Sequence, residues 1–123
     1  MKETPRKFGL FKHAAGKVYP AGATIFKEGD DGRVMYAVKR GQVDIVVKGK
    51  TVDTLTDEEV FGEMALLERA PRAATAVAKS ETELIEIDEV QFNTVVQRNP
   101  FFALQMMQLL SERLRKADAL YKS

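Results

Sequence analysis

The chain contains no cysteine and no tryptophan, and only one histidine and four prolines among its 123 residues. Without thiols, disulfides, cysteine nucleophiles and thiolate-bound zinc or iron–sulfur centres are all excluded. The lone imidazole, His13, cannot build the multi-histidine metal site of a cupin-type roll, and it reads as a surface residue. An excess of either charge is missing too: 19 basic and 18 acidic side chains leave a formal net charge of +1. A general nucleic-acid binder usually carries a strongly basic face, so this balance argues against one. No apolar run approaches the roughly 18–20 residues that span a bilayer, and the N-terminus lacks a signal-peptide apolar region. No repeat, low-complexity tract or linker divides the chain. These absences predict one folded domain over residues 1–123, without a membrane segment and placed in the cytoplasm.

What is present is a chain that is 45% apolar, enough for a sizeable core. Residues 1–16 are mixed, and Phe8, Leu10 and Phe11 suit one face of a short helix that Gly16 ends. From 17 to 87 the texture is of short β-type runs: Val18-Tyr19, Thr24 to Phe26, Val34 to Val38, Val43 to Val47, Thr51 to Leu55, Ala74 to Ala78 and Glu83 to Ile87. Turn signals at Pro20-Ala21-Gly22, Glu28 to Gly32, Arg40-Gly41 and Lys48-Gly49-Lys50 separate them. Many short strands at regular spacing suggest a sandwich or barrel, of which a jelly roll is one form. From 88 to 123 the pattern turns helical. Asp88 is a candidate N-cap for a helix carrying Val90, Phe92, Val95 and Val96. Asn99-Pro100 marks a break before a long amphipathic run from Phe101 to about Tyr121. Phe102, Met106, Leu109, Leu110, Leu114, Ala117 and Tyr121 are assigned to its apolar side. The Phe101-Phe102 and Met106-Met107 pairs read as core or dimer surface rather than as a ligand box.

The most informative stretch is Phe61-Gly62-Glu63-Met64-Ala65-Leu66, followed after a spacer by Pro71-Arg72-Ala73-Ala74. A glycine allows close backbone approach, and a helix starting near Glu63 offers the amides of Met64 and Ala65 to an anion. A carboxylate accepts from hydroxyls, and a guanidinium can grip a phosphate through two N–H groups at once. Together these groups suit a small ligand with one phosphate and a free sugar hydroxyl. The plainer alternatives are that Glu63 only decorates a helix start, and that Arg72 is a surface arginine or pairs with Glu63 or Glu68.

The segment resembles the phosphate-binding cassette of cyclic-nucleotide-binding domains, the family of the catabolite activator protein, protein kinase A regulatory subunits and cyclic-nucleotide-gated channels. Glu28 to Gly32, leading to Met35 to Val38 and Gly41, is similar to a second family signature. It departs at Phe26 and Ala37, neither of which is expected to touch the ligand. The order of elements is also similar. The resemblance implies a mainly β fold with flanking helices: a double-stranded β-helix, or jelly roll, with an N-terminal helix, a short cassette helix and two C-terminal helices. It implies a ligand site of Phe61, Gly62, Glu63, Met64, Ala65, Arg72, Ala73 and Ala74. Glu63 would accept from the ribose 2′-hydroxyl, and Arg72 with the helix-start amides would hold the cyclic phosphate.

A hydroxyl residue at position 73 is associated in the family with guanine, so Ala73 leans toward cAMP over cGMP. Val52, Val60, Phe61 and Val77 are candidate walls for the base, and a residue between Arg115 and Asp118 would close over it. The implied function is a non-catalytic sensor in which Leu66 or Leu67 shifts against the Val90–Val96 helix and moves the C-terminal helices. Hydrolysis of the ligand would need a metal or a base with a positioned water, and neither clusters here. The alternative on the same fold is a nucleotide-independent dimerisation or scaffold module, using the 101–121 helix as a homodimer seam. The C-terminal helices resemble the bacterial activator type. With Ser123 following the long helix, no helix-turn-helix and no direct nucleic-acid contact are expected.

Overall fold

The computed structural model of the protein describes residues 8–11 and 13–122, with side chains through residue 116. Its organising element is a strand buried on both faces, Met35–Arg40 (β3). Successive side chains on a strand point to opposite faces, so β3 feeds two cores. Met35 and Ala37 join a cluster with the helices, while Tyr36 and Val38 join a cluster between two sheets. β3 pairs antiparallel with Thr82–Ile87 (β8) and with the two-residue strand Val60–Phe61 (β6). Lys17–Tyr19 (β1) lies on the other side of β8 and completes the first sheet, ordered β1-β8-β3-β6.

The second sheet runs β2-β7-β4-β5, from Thr24–Phe26 (β2), Thr75–Ala78 (β7), Val43–Val47 (β4) and Lys50–Leu55 (β5). All its pairings are antiparallel. The two four-stranded sheets face each other as a jelly roll. Every strand expected from the sequence is present to within two residues at each end, β3 running on past Val38 to Arg40. β6 went unrecognised because two residues show no alternation of their own.

The helices cover the outer face of the first sheet. Asp88 caps Glu89–Arg98 (α2) with a full capping box, accepting from the Gln91 amide while the Gln91 side chain accepts from the Asp88 amide. Pro100 opens Pro100–Lys122 (α3), where its missing N–H costs nothing. Phe102 of α3 is the hub of this core, meeting Phe8, Phe11 and Phe92 edge-on at centroid distances of 5.5–5.7 Å. Met106 and Leu109 continue the contact toward Leu66. The N-terminal helical element, among the described residues, is the single 3-10 turn Gly9–Phe11, which lets Phe8 and Phe11 both reach Phe102.

The apolar side assigned to α3 needs one correction. Phe102, Met106 and Leu109 are buried, but Leu114 is 71% exposed, roughly a third of a turn away from Phe102 around the helix. The side chains of Ala117 and Tyr121 lie outside the described ones. Each residue pair divides: Phe102 and Met106 are core, while Phe101 and Met107 face outward.

Candidate functional site

β6 sets up the site by alternation. Val60 points into the helical core and Phe61 into the space between the sheets. The chain then turns at Gly62, with φ 78° and ψ 11°, a left-handed conformation that suits glycine. Gly62 is the N-cap of Glu63–Glu68 (α1), and no side chain caps that end. The first-turn amides therefore have neither an intrahelical nor a side-chain cap partner. Glu63 is only 3% exposed, Ala65 is buried and Met64 stands half in solvent.

Arg72 comes from the loop before β7 and is 5% exposed. Its backbone is clamped at both ends by the Glu28–Gly32 turn: the Gly29 amide donates to the Arg72 carbonyl, and the Arg72 amide donates to Asp30 O, each at 2.8 Å. The guanidinium donates to Gly62 O at 3.0 Å through Nη1 and to Val34 O at 2.9 Å through Nη2. It pairs with neither Glu63 nor Glu68. Its Nε is buried with no hydrogen-bond partner. A buried, unsatisfied N–H on a cation is costly, and an anion is what would relieve it. Burial pulls the guanidinium below the usual arginine range, with Tyr36, Asp30 and Glu63 opposing. Burial also pushes the Tyr36 hydroxyl up to about 12, with Tyr19 and Glu86 adding to the rise and Arg72 opposing it.

These groups open onto one cavity of about 340 Å³, a size at the lower end of small-ligand pockets. Phe61, Gly62, Glu63, Met64, Ala65, Arg72, Ala73 and Ala74 all line it. Of the four suggested base walls, Phe61 and Val52 are in place and two are not. Val60 faces the helical core, and Val77 sits between the inward Ala76 and Ala78, on the outer face of β7. Ile45 and Leu55 stand there instead. Val52 and Asp53 both reach the cavity although they are neighbours. The register jumps between Ile45 and Val46, leaving Val52 unpaired, and such a bulge breaks alternation.

Phe26, expected to stay clear of the ligand, lines the cavity wall. Its place at the end of β2, just before the turn that clamps Arg72, was the available signal. Part of the suggested capping segment reaches the cavity. Arg115 lies exposed and bonds Ser111, whereas Lys116 and Arg113 line the cavity. The side chains of Ala117 and Asp118 are outside the described ones.

Arg113 makes the connection that sequence reasoning missed. Its Nη1 donates to Glu63 Oε1 in an ion pair, and its Nη2 donates to Val60 O at 2.8 Å. One arginine thus ties α3 to both the cassette helix and the strand before it. Leu66, not the half-exposed Leu67, carries the apolar contact of α1 into the helical core. Among the described residues no group of three His, Asp or Glu side chains could hold a metal ion. No helix among them is long and apolar enough to cross a membrane.

A two-sheet roll with a glycine-capped cassette helix, a buried arginine and a carboxylate on one cavity defines a class. The cyclic nucleotide-binding domain sequence model matches residues 16–99, and the chain belongs to that family. It is 36% identical over 107 residues to the cyclic AMP receptor protein of Thermus thermophilus, covering 83% of this chain and 50% of that protein. The chain thus spans half the length of this relative. The crystal structure of the Thermus thermophilus catabolite activator protein superposes with a TM-score of 0.78 at 36% identity, over 87% of this chain and 53% of that one. A second solved structure, described as belonging to a cyclic-GMP-dependent signalling pathway that regulates bacterial phytopathogenesis, gives a TM-score of 0.74. It is 27% identical, with 86% and 90% of the two chains covered.

Proposed function

We propose that this domain is a cAMP-preferring sensor that couples nucleotide binding to its C-terminal helices without chemical turnover of the ligand. The observation that carries this reading is that Glu63, Arg72 and Arg113, from three separate elements, meet on one cavity. The cyclic phosphate takes the unpartnered Arg72 Nε and the first-turn amides of α1. The ribose 2′-hydroxyl donates to Glu63, a carboxylate with lone pairs to spare beside Arg113. The purine lies against Ile45, Val52, Leu55 and Phe61. Ala73 offers no hydroxyl to guanine, which favours cAMP over cGMP. Because Glu63 is already in contact with Arg113, any change at the sugar bears directly on α3. The size of the response is set by how much better the ligand binds one arrangement of α3 than the other.

Calorimetry with cAMP and cGMP, paired with NMR on α3, tests this. Arg72→Ala is expected to weaken cAMP binding by about 2–5 kcal/mol, roughly 30-fold to several-thousand-fold. Lysine should rescue only part, lacking the planar fork. Unchanged α3 signals at saturating cAMP would defeat the coupling, and loss of cAMP on incubation would defeat the non-catalytic reading.

A second reading is favoured by one specific observation. Leu104, Met107 and Leu114 lie exposed on α3 and, with Ser111, follow a 3-4-3 spacing suited to a two-helix seam. A homodimer through this helix, formed with or without nucleotide, would make the chain a dimerisation module. Sedimentation with and without cAMP separates the two, since this reading requires a dimer indifferent to ligand. We place the protein in the cytoplasm, where cyclic nucleotides are its partners and nucleic acid is not a direct one.

A further inference from the structure

An aromatic floor lies beneath Arg72. The Phe26 ring lies face-on to the guanidinium, with Arg72 Cζ 4.1 Å from the ring centroid. Tyr36 sits farther off at 5.7 Å. Tyr36 and Phe61 flank the Phe26 ring at centroid distances of 5.9 and 6.0 Å and stack on each other at 5.1 Å. Gly32 and Gly62 also lie close against the guanidinium. A Cβ at Gly32 would fall 2.3 Å from Arg72 Nε, and one at Gly62 would fall 2.7 Å from Nη1. The cation is thus held in a slot between two glycines and one ring face. Two carbonyls fix its rotation in the plane.

We infer that Phe26 is a positioning residue for nucleotide binding: its ring face holds the Arg72 guanidinium flat in its slot at the cavity wall. This rests on the cyclic-nucleotide reading above and adds to it a residue outside the cassette. The physical reason is direct. A guanidinium taken from water loses solvation, and a ring face returns part of it without using any N–H. The donors not bonded to Gly62 and Val34 therefore stay free for the ligand. An aliphatic residue at position 26 would fill the space but offer no negative face, so the arginine would sample other rotamers and pay for its ordering on binding.

The test is cAMP affinity of the full chain, by calorimetry, with 3,4,5-trifluorophenylalanine, leucine or tyrosine at position 26. Fluorination keeps the ring's shape while removing the negative face. The fluorinated protein and Phe26→Leu should each bind cAMP about three- to thirtyfold more weakly, the range of a partly desolvated cation–π contact. Phe26→Tyr should stay within about threefold of wild type, since its face is equivalent. In an Arg72→Ala background, followed at millimolar cAMP by NMR, Phe26→Leu should add no further loss. Wild-type affinity in the fluorinated protein overturns the inference. So does an equal loss with and without Arg72, which would make the ring a plain pocket wall. If Arg72→Ala itself binds cAMP as wild type does, the nucleotide site is misassigned, an outcome distinct from either. The fluorinated variant keeps the test decisive even if Phe26→Leu does not fold.

Discussion

Arg113→Met should destabilise the ligand-free protein, and most of that loss should vanish when Glu63 is also replaced. The Glu63 side chain is 4% exposed and that of Arg113 29%, so the pair lies between a surface ion pair and a fully buried one. Exposed pairs contribute at most about 1 kcal/mol, while removing one partner of a buried pair costs about 3–5 kcal/mol. An intermediate loss of about 2–3 kcal/mol is expected. Roughly 1 kcal/mol of it belongs to the Arg113–Val60 carbonyl bond, which does not depend on Glu63. In a Glu63→Gln background, Arg113→Met should therefore cost only about 1 kcal/mol, leaving a coupling energy of about 1–2 kcal/mol. Urea unfolding of the four proteins, read by circular dichroism at constant m-value, measures all of these differences. Methionine keeps most of the apolar stem, so lost packing does not masquerade as lost charge. Additive effects, with Arg113→Met costing under about 0.5 kcal/mol, would refute the idea that the long helix is fastened to the Glu63 carboxylate.

Three further outcomes follow from single residues. Gly62→Ala puts a side chain on a left-handed residue and a Cβ against Arg72 Nη1. It should cost about 1–2 kcal/mol in urea unfolding and lower cAMP affinity by at least about tenfold in calorimetry. Tyr36 is held protonated in the fold, with its pKa raised from 10 to about 12. Its contribution is complete below pH 10 and lost as pH rises through 12, so wild type should lose about 2–3 kcal/mol over that window that Tyr36→Phe does not lose. Unfolding midpoints at pH 9 and 11.5 check this, and parallel losses in both proteins would contradict it. Ala73→Thr adds a hydroxyl at the cavity and should move the cAMP-to-cGMP affinity ratio toward cGMP by about two- to tenfold, one hydrogen bond's worth, in competition binding.

Strands and cassette were legible because each is written locally. Short apolar runs bounded by turn residues mark β3 and β4, and Asp88 with Gln91 spells out the start of α2 within four residues. The eight residues singled out on 61–74 line a single cavity for the same reason: a glycine, a helix start and a proline-led loop fix their directions over a short span. What escaped was decided across the fold. Val77 and Val60 look like wall residues in sequence, yet strand parity turns both away from the cavity. Val52 and Asp53 face it together only because β5 slips by one residue against β4. Arg113 stands fifty residues from Glu63, and no spacing rule connects a charge on α3 to one on α1.

Phe26 shows the same limit from the other side. In sequence it is one more apolar residue in a short strand, at a position where the family favours other apolar types. Beyond its place before the Glu28–Gly32 turn, nothing in sequence links it to Arg72, which that turn lays across its ring. The turn clamps the arginine's backbone, the ring supports its plane, and Gly62 accepts its Nη1 while starting the cassette helix. Two signatures that look independent along the chain are therefore one device in space, built around a single guanidinium. Loosening any one of these supports should weaken phosphate binding before it weakens the roll. The strands keep their own ladders and both apolar clusters, whereas the guanidinium depends on every support at once.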